Sequence, residues 1–394
     1  MQYQRKLFST LRAQLTTPEI IVLTGMRRVG KTTLYRALFD EIATTNKIFL
    51  DIENPLYQKL FEELDYDNIW HNLTRLGLST GSQAYVFLDE IQAMPNIVKP
   101  IKHLFDHYQI KFFLTGSSSY YLKNLFPESL AGRKLIFELF PLDFAEFLTF
   151  KNQSFDFEPD FFAQAQQKSI ISHEQKSKYY EEYLQFGGFP RVVLEQDSAT
   201  KKLILNDIFK SYYEKDIKNL GNFHDLGKIR DFILLLTSRI GSKIDITKIS
   251  SELGITRQTA YSYLTFLEAT YFISTISPFS LSNDREISGG RKVYMCDTGL
   301  LNELGQVASG SILENAIFIN LKKYGKINYY QKRASDQEID FIIKGKIAIE
   351  VKTKATQVYL DSLAKIANKL KLDEYYIASQ QFVDIDNVIP ATSI

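Results

Sequence analysis

Residues 25–32, Gly-Met-Arg-Arg-Val-Gly-Lys-Thr, limit the possible folds of this chain more than any other segment. They match the pattern G-x-x-x-x-G-K-[ST] and lie between the apolar run Ile-Ile-Val-Leu-Thr and an amphipathic helical pattern. Glycine at 25 and 30 lets the backbone curl so that successive N–H groups point at phosphate oxygens. The positive end of the following helix dipole lies beneath the same anion. The segment therefore predicts a phosphate-binding loop between a strand and a helix.

The loop supplies two side chains for a nucleoside triphosphate. Lys31 is placed to reach the β- and γ-phosphates, and the Thr32 hydroxyl is a ligand for Mg²⁺. We therefore predict ATP and Mg²⁺ as cofactors. The predicted nucleotide-binding residues are Gly25, Arg28, Val29, Gly30, Lys31, Thr32 and Thr33.

A second apolar run, Tyr-Val-Phe-Leu-Asp-Glu at 85–90, ends in two acids that point to opposite faces of a strand. We expect Asp89 to hold Mg²⁺ directly or through a water, and Glu90 to polarise the attacking water. The next apolar run ends at Thr115, which is followed by Gly116 and three serines. Thr115 is the first candidate for a hydrogen bond to the attacking water or the γ-phosphate, and Ser117 is the second. Serines at a strand end are also ordinary loop or cap residues.

The runs Ile20–Thr24, Lys47–Asp51, Tyr85–Asp89 and 111–115 alternate with helical patterns, which predicts a parallel sheet covered on both faces. Two arginines beyond these runs are candidates for stabilising charge on the γ-phosphate, from the same chain or a neighbouring subunit. Arg133 is expected to follow the last core strand, and Arg191 to open a helix of a lid. A salt bridge at a helix end is the alternative for each.

The segments GMRRVGKTTL, VFLDEIQ, LTGSSS, AGR…FPLDFAEF and GGFPR, in that order, resemble a group of prokaryotic AAA-type ATPases, the AAA_14 family with a C-terminal DUF4143 region. The resemblance extends over essentially the whole chain. It implies an AAA+ core with a lid, in which Lys31, Thr32, Asp89 and Glu90 keep the roles given above. By position it also implies that Thr115 is sensor 1 and that Arg191 resembles sensor 2.

Residues 244–268 have helix-turn-helix spacing, with Ile249 and Leu253 on one apolar face, Gly254 in the turn and Thr256 as a cap. Two strand patterns at 271–276 and 292–295 follow as a predicted wing. Tyr261, Leu264 and Leu267 are expected to point inward, and the second helix would present Arg257, Gln258, Thr259 and Ser262 to a DNA groove. A winged helix that docks protein, or that serves as a spacer, is the alternative.

Residues 338–352 predict a hairpin whose turn is Lys344-Gly345. Its Asp340, Glu350 and Lys352 resemble the PD-(D/E)xK nuclease superfamily, although the leading proline is missing. Asp340 and Glu350 would bind Mg²⁺, Lys352 would orient or deprotonate water, and Glu314 could add a carboxylate. Acids and lysines that alternate on a solvated strand face are the alternative. His103 and His107 have zinc-ligand spacing, but a packed or solvated helix face is preferred for them.

The fold class expected is α/β: a P-loop AAA+ parallel-sheet core (1–140), a helical lid (141–200), a winged-helix domain (201–304) and a PD-(D/E)xK nuclease-like α/β domain (305–394). The single cysteine excludes an internal disulfide framework and fits a reducing compartment. No apolar stretch is long enough for a transmembrane helix. We therefore expect a cytoplasmic protein without a membrane partner, and a homo-oligomer is possible.

The formal charge of +1 means that any contact with nucleic acid must come from local patches. The leading hypothesis is an ATP-hydrolysing protein that acts on or binds DNA. The alternatives are an ATP-regulated, Mg²⁺-dependent endonuclease and a protein-remodelling or signalling switch without a DNA substrate.

Overall fold

Five parallel strands form the central sheet of the N-terminal part, in the order β2-β3-β4-β1-β5. The structure is a computed structural model that describes residues 5–116, 132–221, 223–280, 289–332 and 337–394. It divides into two units, Met1–Phe140 with Ala269–Tyr271 and Pro141–Glu268 with Phe272–Ile394. The strands of this first sheet are β1 (Ile20–Thr24), β2 (Lys47–Asp51), β3 (Tyr85–Asp89), β4 (Lys111–Gly116) and β5 (Lys134–Glu138).

The helices of the first unit cover this sheet and bury its strands. Every residue of β1 and β4 is buried, which explains why their sequences are apolar on consecutive positions. Phe87 and Phe113 stack with ring centroids 4.4 Å apart, and the Tyr35 hydroxyl donates to the Ile21 carbonyl oxygen over 3.1 Å. The described α-helices are α1 (Leu7–Ala13), α2 (Lys31–Glu41), α3 (Pro55–Gln58), α4 (Tyr66–Arg75) and α5 (Val98–Tyr108), with 3₁₀ turns at Gln14–Thr16, Lys59–Phe61, Ile91–Ala93 and Pro95–Ile97.

The predicted parallel sheet is confirmed, and its first three strands have the expected bounds. Strand β5 was not predicted. It begins directly after Arg133, so the expectation that Arg133 follows the last core strand is wrong. The β5 pattern was hard to recognise because this edge strand leaves Leu135 and Ile136 exposed, unlike the buried strands beside it.

The second unit begins with helices, as the sequence indicates for 141–200. Asp143 caps the first of them by accepting a hydrogen bond from the Glu146 amide over 2.8 Å. A π-helical turn at Tyr213–Ile217 interrupts the later helices. The described α-helices are α6 (Phe144–Phe150), α7 (Phe161–Gln166), α8 (Ile170–Phe186), α9 (Pro190–Leu194), α10 (Ser198–Tyr212), α11 (Lys218–Leu220), α12 (Leu226–Thr237), α13 (Ile246–Leu253), α14 (Arg257–Ala269), α15 (Thr298–Leu304), α16 (Ser309–Leu321) and α17 (Gln357–Leu370).

Two sheets complete the second unit. Strands β6 (Ile273–Ile276) and β7 (Lys292–Met295) pair antiparallel. The C-terminal sheet has the order β12-β11-β10-β9-β8, with antiparallel pairing from β8 to β10 and parallel pairing from β10 to β12. Its strands are β8 (Ile327–Gln331), β9 (Glu338–Ile343), β10 (Ile347–Lys352), β11 (Glu374–Ser379) and β12 (Val388–Pro390), with 3₁₀ turns at Lys322–Tyr324 and Ala391–Ser393.

Within the described ranges, no helix combines the length and the apolar character that crossing a membrane requires.

Candidate active site

The loop between β1 and α2 has a backbone that only glycine can supply at its first position. Gly25 has φ +148°, and a Cβ atom there would lie 2.0 Å from the Leu139 carbonyl oxygen. Gly30, with φ +99°, is the N-cap residue of α2. Arg28 also has a positive φ, 67°, and its side chain is exposed, as is that of Thr33. The loop is therefore curled ahead of a helix N-terminus, which is the arrangement that binds phosphate.

Arg5 holds this loop from outside the motif, and no pattern of residues in the sequence points to it. Its side chain is 5% exposed, and its Nη1 atom donates to the Val29 carbonyl oxygen over 2.9 Å. Its Nη2 atom donates to the Phe140 carbonyl oxygen over 2.8 Å. A guanidinium can bridge two backbone segments because its donors form a rigid fork. Arg5 thus ties the loop to the chain that follows β5.

Lys31 is buried inside the loop. Its Nζ atom donates to the carbonyl oxygens of Gly25 and Met26 over 2.9 and 3.0 Å. The side chain is 4% exposed. The ammonium therefore lies within the curl of backbone that the motif predicts for phosphates.

Asp89 joins the loop to the tip of the neighbouring strand. Its Oδ2 atom accepts a hydrogen bond from the Thr32 hydroxyl over 2.7 Å, and its Oδ1 atom accepts one from the Thr115 hydroxyl. Burial raises the pKa of Asp89, although the hydrogen bonds from Thr115 and Thr32 oppose that rise. Strand β4 lies between β1 and β3, so its last residues face both the loop and the two acids.

The oxygens at this point fit a magnesium ion. Neighbouring ligands of an octahedral Mg²⁺ lie about 2.9 Å apart, given metal–oxygen distances of about 2.0–2.1 Å. The Thr32 hydroxyl and the Asp89 carboxylate are already 2.7 Å apart. These two groups would hold the ion, which would neutralise phosphate charge when it binds with ATP.

Glu90 follows Asp89 in the left-handed region, with φ +55°. Its backbone amide donates to the Thr115 hydroxyl oxygen over 3.0 Å. Its carboxylate accepts a hydrogen bond from the side-chain amide of Gln92. Arg27 Nη1 lies 3.9 Å from Glu90 Oε2 and 3.5 Å from Glu53 Oε1. The contacts of Glu90 with Gln92 and Arg27 were not predicted, because neither residue belongs to the pattern of strand and acids.

Arg133 lies at the opposite edge of the sheet from the loop. Its carbonyl oxygen accepts from the Ile20 amide over 2.8 Å, at the start of β1, whereas the loop follows the end of β1. The five residues of β1, at about 3.3 Å each, separate the N-terminal ends of the strands from their C-terminal ends by about 16 Å. Its Nε atom donates to Asp106 Oδ1 over 2.9 Å. The same-chain role expected for Arg133 is wrong, and a role in a neighbouring subunit stays a prediction.

Arg191 is exposed on α9 of the second unit, and its sensor role stays a prediction. Ser117 is outside the described residues.

Comparison with known families matches residues 17–148 to an AAA domain, AAA_14. Residues 309–393 match a domain of unknown function, DUF4143. The predicted AAA domain with a C-terminal DUF4143 region is confirmed. Between the two, residues 177–311 match another domain of unknown function, DUF8612. The helix-turn-helix candidate therefore lies within the DUF8612 match and outside DUF4143.

Two relatives are similar to this chain over most of its length. An uncharacterized protein of Methanocaldococcus jannaschii, MJ1544, is 29% identical over 380 residues, covering 92% of this chain and 82% of the relative. An uncharacterized protein of Haemophilus influenzae is 28% identical over 341 residues, covering 83% of this chain and 80% of the relative.

Solved structures give weaker matches. A Drosophila ORC structure with AT-rich DNA and Cdc6 aligns at TM-score 0.28 and 11% identity, over 76% of this chain and 89% of that one. C. elegans PCH-2 aligns at TM-score 0.26 and 15% identity, over 67% of this chain and 66% of that one. The fold assignment rests on the strand order and the AAA domain match instead.

Beyond the AAA domain, helices α13 and α14 are joined by a turn in which Gly254 has φ +62°. Thr256 accepts a hydrogen bond from the Thr259 amide over 3.1 Å, and the two hydroxyls lie 2.8 Å apart. Tyr261 was expected to point inward, but it is 57% exposed; the buried tyrosine of this helix is Tyr263. The inward face was misassigned because two tyrosines lie two positions apart, and only packing selects one. The exposed face of α14 carries Arg257, Gln258, Tyr261 and Ser262.

The acids proposed for a nuclease centre do come together in the second unit. The amide of Val351 donates to Asp340 Oδ2 over 2.8 Å, and Lys352 Nζ donates to Glu350 Oε1 over 2.7 Å. The unexpected member is Lys292, whose Nζ atom lies 2.6 Å from Glu338 Oε1, 3.6 Å from Glu314 Oε1 and 3.8 Å from Asp340 Oδ1. An ammonium therefore lies where these carboxylates converge.

The acids of this cluster face ammonium groups of the chain itself. Across the described ranges, no three His, Cys, Asp or Glu side chains are arranged to hold one. The same finding covers His103, whose Nε2 atom lies 2.8 Å from Asp67 Oδ1. Binding of Mg²⁺ by Asp340 and Glu350 stays a prediction.

Proposed function

We propose that this protein binds ATP at the loop of its AAA domain and hydrolyses it. The observation that carries the proposal is Asp89, whose two carboxylate oxygens accept hydrogen bonds from Thr32 of the loop and Thr115 of the adjacent strand tip. A strand-terminal acid tied to the threonine that follows the loop lysine is what a magnesium–triphosphate site requires.

Each residue takes a role from its position. The loop amides and Lys31 bind the phosphates, and Thr32 and Asp89 hold the magnesium ion. Glu90 accepts a proton from the water that attacks the γ-phosphorus, so that ADP and inorganic phosphate form. Thr115 acts as a positioning residue, because its hydroxyl contacts both Asp89 and the Glu90 amide.

The test is steady-state ATP hydrolysis by the purified full chain. Lys31→Ala should abolish turnover, since it removes the charge that the loop encloses. Lys99→Ala is the matched control, because Lys99 is an exposed lysine of the same AAA domain. Turnover at the wild-type rate in Lys31→Ala would refute the site assignment.

We further propose that α14 contacts DNA. Its inner face is buried through Ala260, Tyr263, Leu264 and Leu267, so the helix is fixed in place and its outer face is free to meet a partner. The outer face offers a guanidinium, an amide and two hydroxyls, in Arg257, Gln258, Tyr261 and Ser262. These groups bind phosphates and base edges.

DNA retention at low salt tests this half. Arg257→Ala should weaken binding to duplex DNA and reduce the slope of log K against log salt by about 1, as the loss of one phosphate contact does. Arg230→Ala, at another exposed arginine, is the control. Absence of DNA binding by the wild type would refute the proposed contact of α14 with DNA and leave the ATPase assignment intact.

A further inference from the structure

Lys292 is a buried lysine at the start of β7, with 3% of its surface exposed. Its three carboxylate neighbours come from different elements: Glu314 from α16, and Glu338 and Asp340 from β9. On β9 the two acids are two residues apart and therefore share a face. The ammonium, from β7, lies at the point where helix α16 and strand β9 bring their acids together.

The carboxylates around Lys292 also have other donors of the chain. Tyr294 donates its hydroxyl to Glu314 Oε1 over 2.8 Å. Asp340 Oδ2 accepts from the Val351 amide, so both oxygens of that carboxylate face a positive or donating group. Gly241 packs so closely on Glu314 that a Cβ atom there would lie 2.7 Å from Glu314 Oε2. The Glu314 side chain therefore has little room to turn toward another cation.

Electrostatics favour a charged lysine at this point. Burial alone would favour a neutral amine, but Glu314, Asp340 and Glu338 lie close enough to hold the ammonium in its charged form. Buried carboxylates need a compensating positive charge, and removing such a partner leaves charge uncompensated. Lys292 supplies that charge from within the chain, where it does not depend on the concentration of a free ion.

We propose that the Lys292 ammonium takes the cation position of this carboxylate centre and keeps divalent metal ions out of it. The C-terminal sheet then works without metal-dependent cleavage of nucleic acid, and the centre joins β7 to the C-terminal sheet and α16. This inference goes beyond the proposed ATPase and DNA contact, and it does not depend on either.

The test measures Mn²⁺ binding to the full chain without nucleotide, by calorimetry and by the EPR signal of free Mn²⁺. Wild type and Asp340→Asn should bind the same number of ions, because the centre of the wild type takes none. Lys292→Met should gain one Mn²⁺ site that both of those proteins lack. The affinity of this site for Mn²⁺ should be at least tenfold higher than that of any site in wild type or Asp340→Asn. That site should disappear in the double variant Lys292→Met/Asp340→Asn.

Lys243→Met is the matched control. Lys243 Nζ lies 5.6 Å from the ring centroid of Tyr329 and Lys292 Nζ lies 5.5 Å from it, so both ammonium groups contact the same tyrosine. No ion pair joins Lys243 to the carboxylates among the described contacts, and its replacement should add no Mn²⁺ site.

Three outcomes would overturn the proposal. One is an Mn²⁺ site in the wild type that Asp340→Asn removes. Another is a folded Lys292→Met variant, by circular dichroism, that gains no site; if that variant does not fold, Lys292→Met/Glu338→Gln, with one carboxylate fewer, replaces it. The third is nicking of supercoiled DNA by wild type with Mg²⁺ or Mn²⁺ that is lost in Glu350→Gln.

Discussion

Two carboxylate centres of the described residues, one around Asp89 in the AAA domain and one around Asp340 in the second unit, differ in what faces the acids. Asp89 meets two neutral hydroxyls, from Thr32 and Thr115. Asp340 meets a backbone amide and the ammonium of Lys292. Both centres stand on sheets and both contain acids with raised pKa values.

The difference concerns the source of positive charge. A carboxylate with hydroxyl partners stays uncompensated until a cation binds with the nucleotide, so the first centre is open to magnesium. A carboxylate with a buried ammonium beside it already has a partner of opposite charge. Acids on strands that resemble metal sites in sequence can therefore have hydroxyl partners in one place and an internal ion pair in another.

The largest effect is expected at the centre around Asp89, called the open centre from here on. Glu90→Gln should lower ATP turnover by about 10²–10⁴-fold, because it removes the proton acceptor, while nucleotide binding persists. Phosphate release and fluorescent-nucleotide titration measure the two properties. Glu53→Gln is the control, since Glu53 contacts the same Arg27. A rate within twofold of wild type would contradict the role of Glu90.

At the centre around Asp340 and Lys292, called the closed centre from here on, the expected effect is on stability. Lys292→Met should lower the free energy of unfolding of the second unit by about 3–5 kcal/mol, as loss of one member of a buried ion pair does. Lys352→Met should cost less, because the Lys352 side chain is 30% exposed and water can replace it. Urea titration of each variant measures the free energy of unfolding. Equal decreases in the two variants would contradict the expectation that Lys292 contributes more than Lys352.

Replacing Thr115 tests whether its hydroxyl positions Asp89 and Glu90 at the open centre. Thr115→Val keeps the shape but removes a buried hydroxyl bonded to Asp89 and to the Glu90 amide. A loss of about 1–3 kcal/mol of transition-state stabilisation corresponds to a fall of about 5–150-fold in kcat/KM. Thr115→Ser should restore most of the activity. A serine variant as impaired as the valine variant would argue for a packing role instead.

The smallest expected effect is a pH dependence at the closed centre. Burial raises the pKa of Glu314 and of Glu350 to about 7. In the unfolded chain glutamate titrates near 4.3, so the folded state binds more protons between these values. Stability of the second unit should therefore fall as pH rises from about 4.3 to about 7. Glu350→Gln should flatten the slope, and a melting temperature that rises over this range would contradict the assignment.

The AAA domain shows how far sequence reasoning reaches. The strands β1, β2 and β3 were predicted with their bounds, and the loop, Asp89 and Glu90 were placed at one edge of the sheet, because strand and loop chemistry is local. Strand β5 was missed because an exposed edge strand lacks the continuous apolar pattern of a buried one. That omission placed Arg133 after the last strand of the sheet, whereas it directly precedes β5.

What the sequence determined by itself is the phosphate loop, the parallel sheet and the acids that face the loop, since each is encoded within a few neighbouring residues. What only the tertiary structure decided is which distant groups meet those local features. Arg5 reaches the loop from the N-terminus, Tyr261 faces outward, and Lys292 lies among acids from 22 to 48 positions away in the chain. Such contacts depend on how elements pack, and no local pattern of residues records them.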